Sequence, residues 1–195
     1  MARPHVHNNS KFEKFSNFLY NIITIKKKGK FMEYYTHNSD PEYYDTHRSS
    51  ANCGSYAFNI KEWYDADSGF CDDVGDIFDW VKEMVYEGYS DEEISDIYAE
   101  GIIPKILNDF DGEIREVRDE SSPLESDEEL VALRTFCYYD DDGWSDFDFH
   151  FKVLRDGCWM EKCGNGEVRF CTLDDWANGS LSYISKTIFF AHKAA

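Results

Sequence analysis

The order of signals along the chain predicts an α+β fold, with N-terminal helices packed on a C-terminal antiparallel β-sheet. Two observations predict it. Helical caps and 3.6-residue apolar spacing dominate up to residue 110, and alternating β-branched and aromatic runs with tight turns dominate afterwards. With 195 residues, 42% of them hydrophobic and 17% aromatic, the chain has enough apolar mass for one sizeable core.

The elements follow in order. Residues 1–31 are basic, open on a polar His/Asn run and contain one short helix-like segment, Phe12 to Ile25. They read as an N-terminal arm, and residues 32–195 as the α+β domain. Residues 38–50 read as loop. Asn52 is a suitable N-cap, with Tyr56, Ile60 and Trp63 following at helical spacing. Ile77, Phe78, Val81 and Val85 mark a second helix that stops at Gly88. Ser90 and Glu93 form a capping box opening a third helix through Ile94, Ile97 and Tyr98 to Gly101. Pro104 is expected to start a short fourth, Lys105 to Phe110. Strands are predicted at Ile114 to Val117, Leu130 to Tyr139 and Tyr183 to Ala191. Asp156-Gly157 joins His150–Arg155 to Cys158–Cys163 as a hairpin.

Charge narrows the partners. The formal net charge is −19, and it is uneven: residues 1–50 carry eight basic and five acidic groups, the remainder 12 and 34. Such a surface repels nucleic-acid phosphates and anionic lipid, so direct nucleic-acid or membrane binding is not expected. No apolar run approaches the ~18 residues of a membrane span. The start does not read as a signal peptide, because Lys26-Lys27-Lys28 follows the apolar stretch rather than preceding it. A cytoplasmic protein with its six cysteines reduced is therefore expected.

One cysteine stands where a nucleophile would. The segment Ala51-Asn52-Cys53-Gly54-Ser55-Tyr56-Ala57 places a thiol in the first turn of a predicted helix, where the helix end favours thiolate. The hairpin supplies a base. A two-residue turn pairs Lys152 with Glu161 and sets His150 opposite Cys163. Alternation then puts His150, Lys152, Leu154, Trp159, Glu161 and Cys163 on one face, and Phe149, Phe151, Val153 and Met160 on the other. Glu161 becomes the diagonal neighbour of His150, about 7 Å away and within side-chain reach.

These residues resemble a family. An Asn-Cys-x-x-Tyr-Ala helix start, a strand-borne His and a polar residue on the next strand are similar to papain-like thiol hydrolases. The likeness is nearest to the small NlpC/P60 and CHAP-type amidases and peptidases, and spans Cys53 to about Gly164. It implies a hydrolase of a peptide-like substrate, or a degenerate member of that fold, with Cys53 as nucleophile, His150 as general base and Glu161 as the group that orients the imidazole. No cofactor and no metal are expected.

Two other readings use the same residues. Cys158, Cys163 and Cys171 with His150 offer zinc donors, but at Cys-x4-Cys and Cys-x7-Cys spacing rather than in a tight knuckle. Asp65-Ala66-Asp67-Ser68-Gly69 begins like a calcium loop, yet lacks the fifth-position oxygen. Without catalysis, an acidic domain with interleaved aromatics, as in Tyr138-Tyr139-Asp140-Asp141-Asp142-Gly143-Trp144, could engage a basic protein surface. Small viral proteins that mimic nucleic acid and block host defence nucleases are similar to it in size and charge.

Overall fold

A computed structural model describes residues 41–139, 145–178 and 181–193. The arm expected at 1–31 and residues Asp140–Trp144 of the acidic aromatic run lie outside the described residues.

The helices come first: α1 (Pro41–Thr46), a 3-10 turn (Arg48–Ser50), α2 (Cys53–Ala57), α3 (Ser68–Val74), α4 (Ile77–Tyr86) and α5 (Asp91–Asp109). Eight strands follow: β1 (Ile114–Val117), β2 (Glu128–Tyr139), β3 (Ser145–Arg155), β4 (Cys158–Lys162), β5 (Val168–Phe170), β6 (Ala177–Asn178), β7 (Leu181–Ser182) and β8 (Ile188–Lys193). Six of them form one antiparallel sheet in the order β1-β8-β2-β3-β4-β5, and β6 pairs with β7 apart from it. The fold is α+β, with N-terminal helices packed against a C-terminal six-stranded antiparallel sheet. Among the described residues no helix is long and apolar enough to cross a membrane.

Local chemistry explains most boundaries. Asp76 caps α4 by accepting from the Phe78 and Asp79 N–H groups, and Ser90 and Glu93 form the expected capping box on α5. Asp156 and Gly157 both have positive φ, 50° and 77°, as a two-residue primed turn requires. That turn pairs Arg155 with Cys158 and Lys152 with Glu161, the predicted register.

Several elements differ from expectation. The helix after Asn52 closes at Ala57, because the chain turns through Asn59 at φ 57°, and Trp63 is left half exposed. The break expected between Gly101 and Pro104 is absent, and α5 runs through both. Proline removes one helical hydrogen bond, at a cost of about 3 kcal/mol. Burial of Ile94, Tyr98, Ile102 and Ile106 along α5 offsets it. Gly101 serves packing instead of termination: a Cβ there would lie 2.2 Å from the ring of Phe70 on α3. A helix, α1, forms within 38–50, where the composition predicts loop, and α3 arises where no helical spacing marks it. The last strand starts at Ile188 rather than Tyr183.

The sheet is covered on both faces. Towards the helices, Val131, Leu133, Cys137, Phe151, Val153 and Phe190 join the main core. On the far face Leu130, Ala132, Phe136, Phe189 and Ala191 pack with Trp176 and Tyr183 from the segment after β5. The face predicted as the more polar one is therefore an interior too: His150, Lys152 and Glu161 are each buried.

Candidate active site

Cys53 opens α2, held by an unusually dense cap. Asn52 Oδ1 accepts from the Ser55 N–H at 3.0 Å, and its Nδ2 donates to the Tyr64 carbonyl at 2.8 Å. Ser55 Oγ accepts from the Asn52 N–H and the Tyr64 N–H, both at 3.1 Å. Gly54 follows the cysteine because nothing larger fits: a Cβ would sit 2.8 Å from the Tyr64 ring and 3.4 Å from that of Phe151. The helix is thereby pressed onto β3. The Cys53 thiol donates to the Phe149 carbonyl, with an S–O distance of 3.7 Å, one residue before His150.

The thiolate expected from the helix start does not form at rest. Burial pushes the Cys53 thiol up to about 12, against the smaller opposing pull of backbone N–H groups at Phe151 and Gly54. A helix of five residues has a weak dipole, and Cys53 is only 5% exposed. Desolvation wins.

His150 and Glu161 meet as the hairpin register predicted. His150 Nε2 and Glu161 Oε2 lie 2.9 Å apart, both residues 3% exposed. Glu161 Oε1 accepts from Arg169 Nε at 2.7 Å, and Lys152 Nζ stands 3.7 Å from Oε2. Burial raises the Glu161 carboxyl, but the hydrogen bond and charge of His150, followed by Arg169 and Lys152, outweigh it and hold the group near 2. It stays ionised. The imidazole stacks on Tyr183 at 5.2 Å, with Trp176 edge-on at 6.3 Å. Tyr183 in turn donates to Asp148 at 2.6 Å.

The structure thus brings His150 and Glu161 into contact and lays Cys53 against the main chain beside His150. Among the described residues no hydrogen bond joins Cys53 to His150. Cys53 belongs to the helix-side core with Phe151, whereas the His150 ring packs on the far-face residues Trp176 and Tyr183. The predicted pairing of His150 with Cys163 lies beyond the last strand pair, since β4 ends at Lys162.

Lys162 is a site residue that sequence reasoning missed. It is wholly buried and donates to the Ala51 carbonyl at 2.5 Å and to the Arg48 and Gly164 carbonyls, tying the end of β4 to the approach of Cys53. The signal was there: alternation assigns Lys162 to the core face, an odd place for a lysine. Arg169 and Trp176 come from segments with no periodic signal, and Tyr183, expected to open the last strand, lies before it.

The other donor sets look different in three dimensions. Ligand atoms of His150, Glu161 and Cys163 lie within 4.8 Å of one another. Their N, O and S donors suit zinc, but both Glu161 oxygens already serve Arg169 and His150. Cys158 is exposed at the turn. Asp67, from the calcium-like run, is buried and accepts from the Tyr98 hydroxyl at 2.6 Å. All six cysteines are free thiols.

No family model matches the chain, and comparison with curated proteins and with solved structures returns no match.

Proposed function

We propose that this chain is a thiol hydrolase of the papain-like type, of the NlpC/P60 or CHAP kind, cleaving an amide or related acyl bond in a peptide-like substrate. The observation that carries the reading is the 2.9 Å His150–Glu161 contact on the strand whose main chain receives the Cys53 thiol. His150 gives Nε2 to the carboxylate, which leaves Nδ1 as the nitrogen for the thiol proton. The thiol and the imidazole lie on opposite faces of β3, so the reaction requires α2 to shift against the strand until Cys53 Sγ meets His150 Nδ1; Sγ then attacks the substrate carbonyl, His150 takes the proton and returns it to the departing amine, and water cleaves the thioester. Glu161, ionised and buried, holds the ring in one tautomer and stabilises the imidazolium. Because the thiol rests protonated, proton removal accompanies attack rather than preceding it.

Alkylation by iodoacetamide at pH 7, with the modified cysteine identified by mass spectrometry, tests this. A thiol at about 12 would have a thiolate fraction on the order of 10⁻⁵ at that pH and be nearly inert. Assistance by His150 should make Cys53 at least about tenfold faster than buried Cys137, and His150→Ala should abolish the difference. Equal rates in both proteins would remove the reading.

A second reading has its own support. Asp72, Asp73, Asp76, Asp79, Glu83 and Glu87 are exposed along α3 and α4, beside Phe78 at 48% and Tyr86 at 72% exposure. An acidic face with protruding rings suits a basic protein partner. Charge reversal at Asp76, Asp79 and Glu83 would abolish such binding while leaving Cys53 labelling unchanged.

A further inference from the structure

Arg134, on β2, differs from every other arginine among the described residues. Arg48, Arg115, Arg118, Arg155 and Arg169 each pair with a carboxylate within 4 Å. Arg134 pairs with none, in a chain with 39 acidic residues against 20 basic ones. Its Nε donates to Thr187 Oγ1 at 2.7 Å, which fixes the guanidinium plane and leaves the two terminal nitrogens without a hydrogen-bond partner among the described residues. The group is partly buried, over the Trp176 ring at 5.2 Å.

The surroundings are a cleft of about 450 Å³ lined by Arg134, Trp176, Tyr183, Asp174, Asp175 and Glu92. That volume lies in the range of small-ligand sites. Trp176 is only 4% exposed, and its indole N–H has no acceptor among the described residues. The Trp176 indole N–H is thus a buried donor without an acceptor, and the half-buried Arg134 fork lies open to the cleft. Lys152 supports the wall: it sits 4.4 Å over the same indole and donates to the Thr172 and Asp175 carbonyls. Trp176 and Tyr183 also flank the His150 ring, so the cleft adjoins the proposed base.

We infer that this cleft is a subsite for a carboxylate of the substrate, bound by the Arg134 fork above the Trp176 ring. Arginine with two free terminal nitrogens matches a carboxylate bidentately. The exposed Asp174, Asp175 and Glu92 repel a polyanion, so the ligand carries a single carboxylate with neutral or cationic groups around it. A peptide end or an acidic side chain fits; a nucleic acid or polyphosphate does not. The assignment rests on the thiol-hydrolase reading for its placement in a reaction, and its test does not require turnover.

The Trp176 indole N–H resonance, assigned by comparison with Trp176→Phe, is followed in ¹⁵N-labelled Cys53→Ala protein. Acetyl-glycylglycine supplies a terminal carboxylate, acetyl-glutamic acid α-amide a side-chain carboxylate, and acetyl-glycylglycinamide none. Saturable shifts in the millimolar range with one or both acids, and none with the neutral amide, are the expected result; which acid binds tells the source. Arg134→Gln should weaken binding at least about tenfold, with Arg134→Lys in between because it keeps the charge and loses the fork. No shift with either acid, an equal shift with the amide, or full-strength binding by Arg134→Gln would overturn the assignment. Failure here with Cys53 still activated by His150 would leave the hydrolase reading standing, and binding here with an inert Cys53 would overturn only the hydrolase.

Discussion

At Glu161 three cationic or protonatable groups converge on one carboxylate in an interior of low polarity, and the residue's importance follows from that count. Arg169, Lys152 and His150 all lose their shared partner if the charge is removed. Breaking a buried pair from one side costs about 3–5 kcal/mol. Glu161→Gln retains an acceptor, so a loss of about 3 kcal/mol is expected, measured by urea unfolding with an unchanged m-value. Lys152, without surface exposure, is the partner that suffers most. Residue identities here were partly legible: alternation across the hairpin named His150 and Glu161 as neighbours. The thiol's protonation state was not, because a helix start signals thiolate only where water or an ion pair replaces lost solvation. Sequence spacing carries no record of burial.

Among the elements, α5 shows why a boundary signal can be real and still yield no boundary. Gly101 reads as a stop, and the chain uses it as a notch for Phe70. Gly101→Ala would drive Cβ into that ring. A destabilisation of about 1–3 kcal/mol is expected despite alanine's better helix propensity, read as a lowered urea midpoint. If the variant were more stable, α3 would not be packed as described. The caps and the primed turn were legible because each is written in two to four adjacent residues. The segment carrying Trp176 and Tyr183 was not, because its structure comes from what it covers. Its hydrogen bonds run to distant strands, such as the Ile184 N–H to the Thr135 carbonyl at 3.1 Å.

For the molecule as a whole, the loss of stability on acidification begins at one buried ring. His192 on β8 is 1% exposed, lies edge-on to Phe58 and Phe110, and has neither ring nitrogen hydrogen-bonded among the described residues. Burial, reinforced by Arg155, lowers its pKa from 6.5 to about 4. The unfolded chain therefore binds a proton that the folded one refuses. Stability is full above about pH 6.5, falls as the pH drops towards 4, and loses nothing more from this group below that. The loss amounts to about 3 kcal/mol over that window. Glu161, depressed from 4.5 to about 2, adds a second decline at lower pH. Unfolding free energies measured between pH 8 and 4 should show the first slope, and His192→Leu should flatten it.

The reversal at Asp156 and Gly157 has a reach well beyond its own two residues. Strand period is two, so pairing shifted by a single position would turn the imidazole of β3 into hydrocarbon and send Phe151 towards Trp176 and Tyr183. Two left-handed backbone angles some way along the strand thus act as the alignment pin for the polar network. A sequence change there would disable the site while every residue touching it stayed the same.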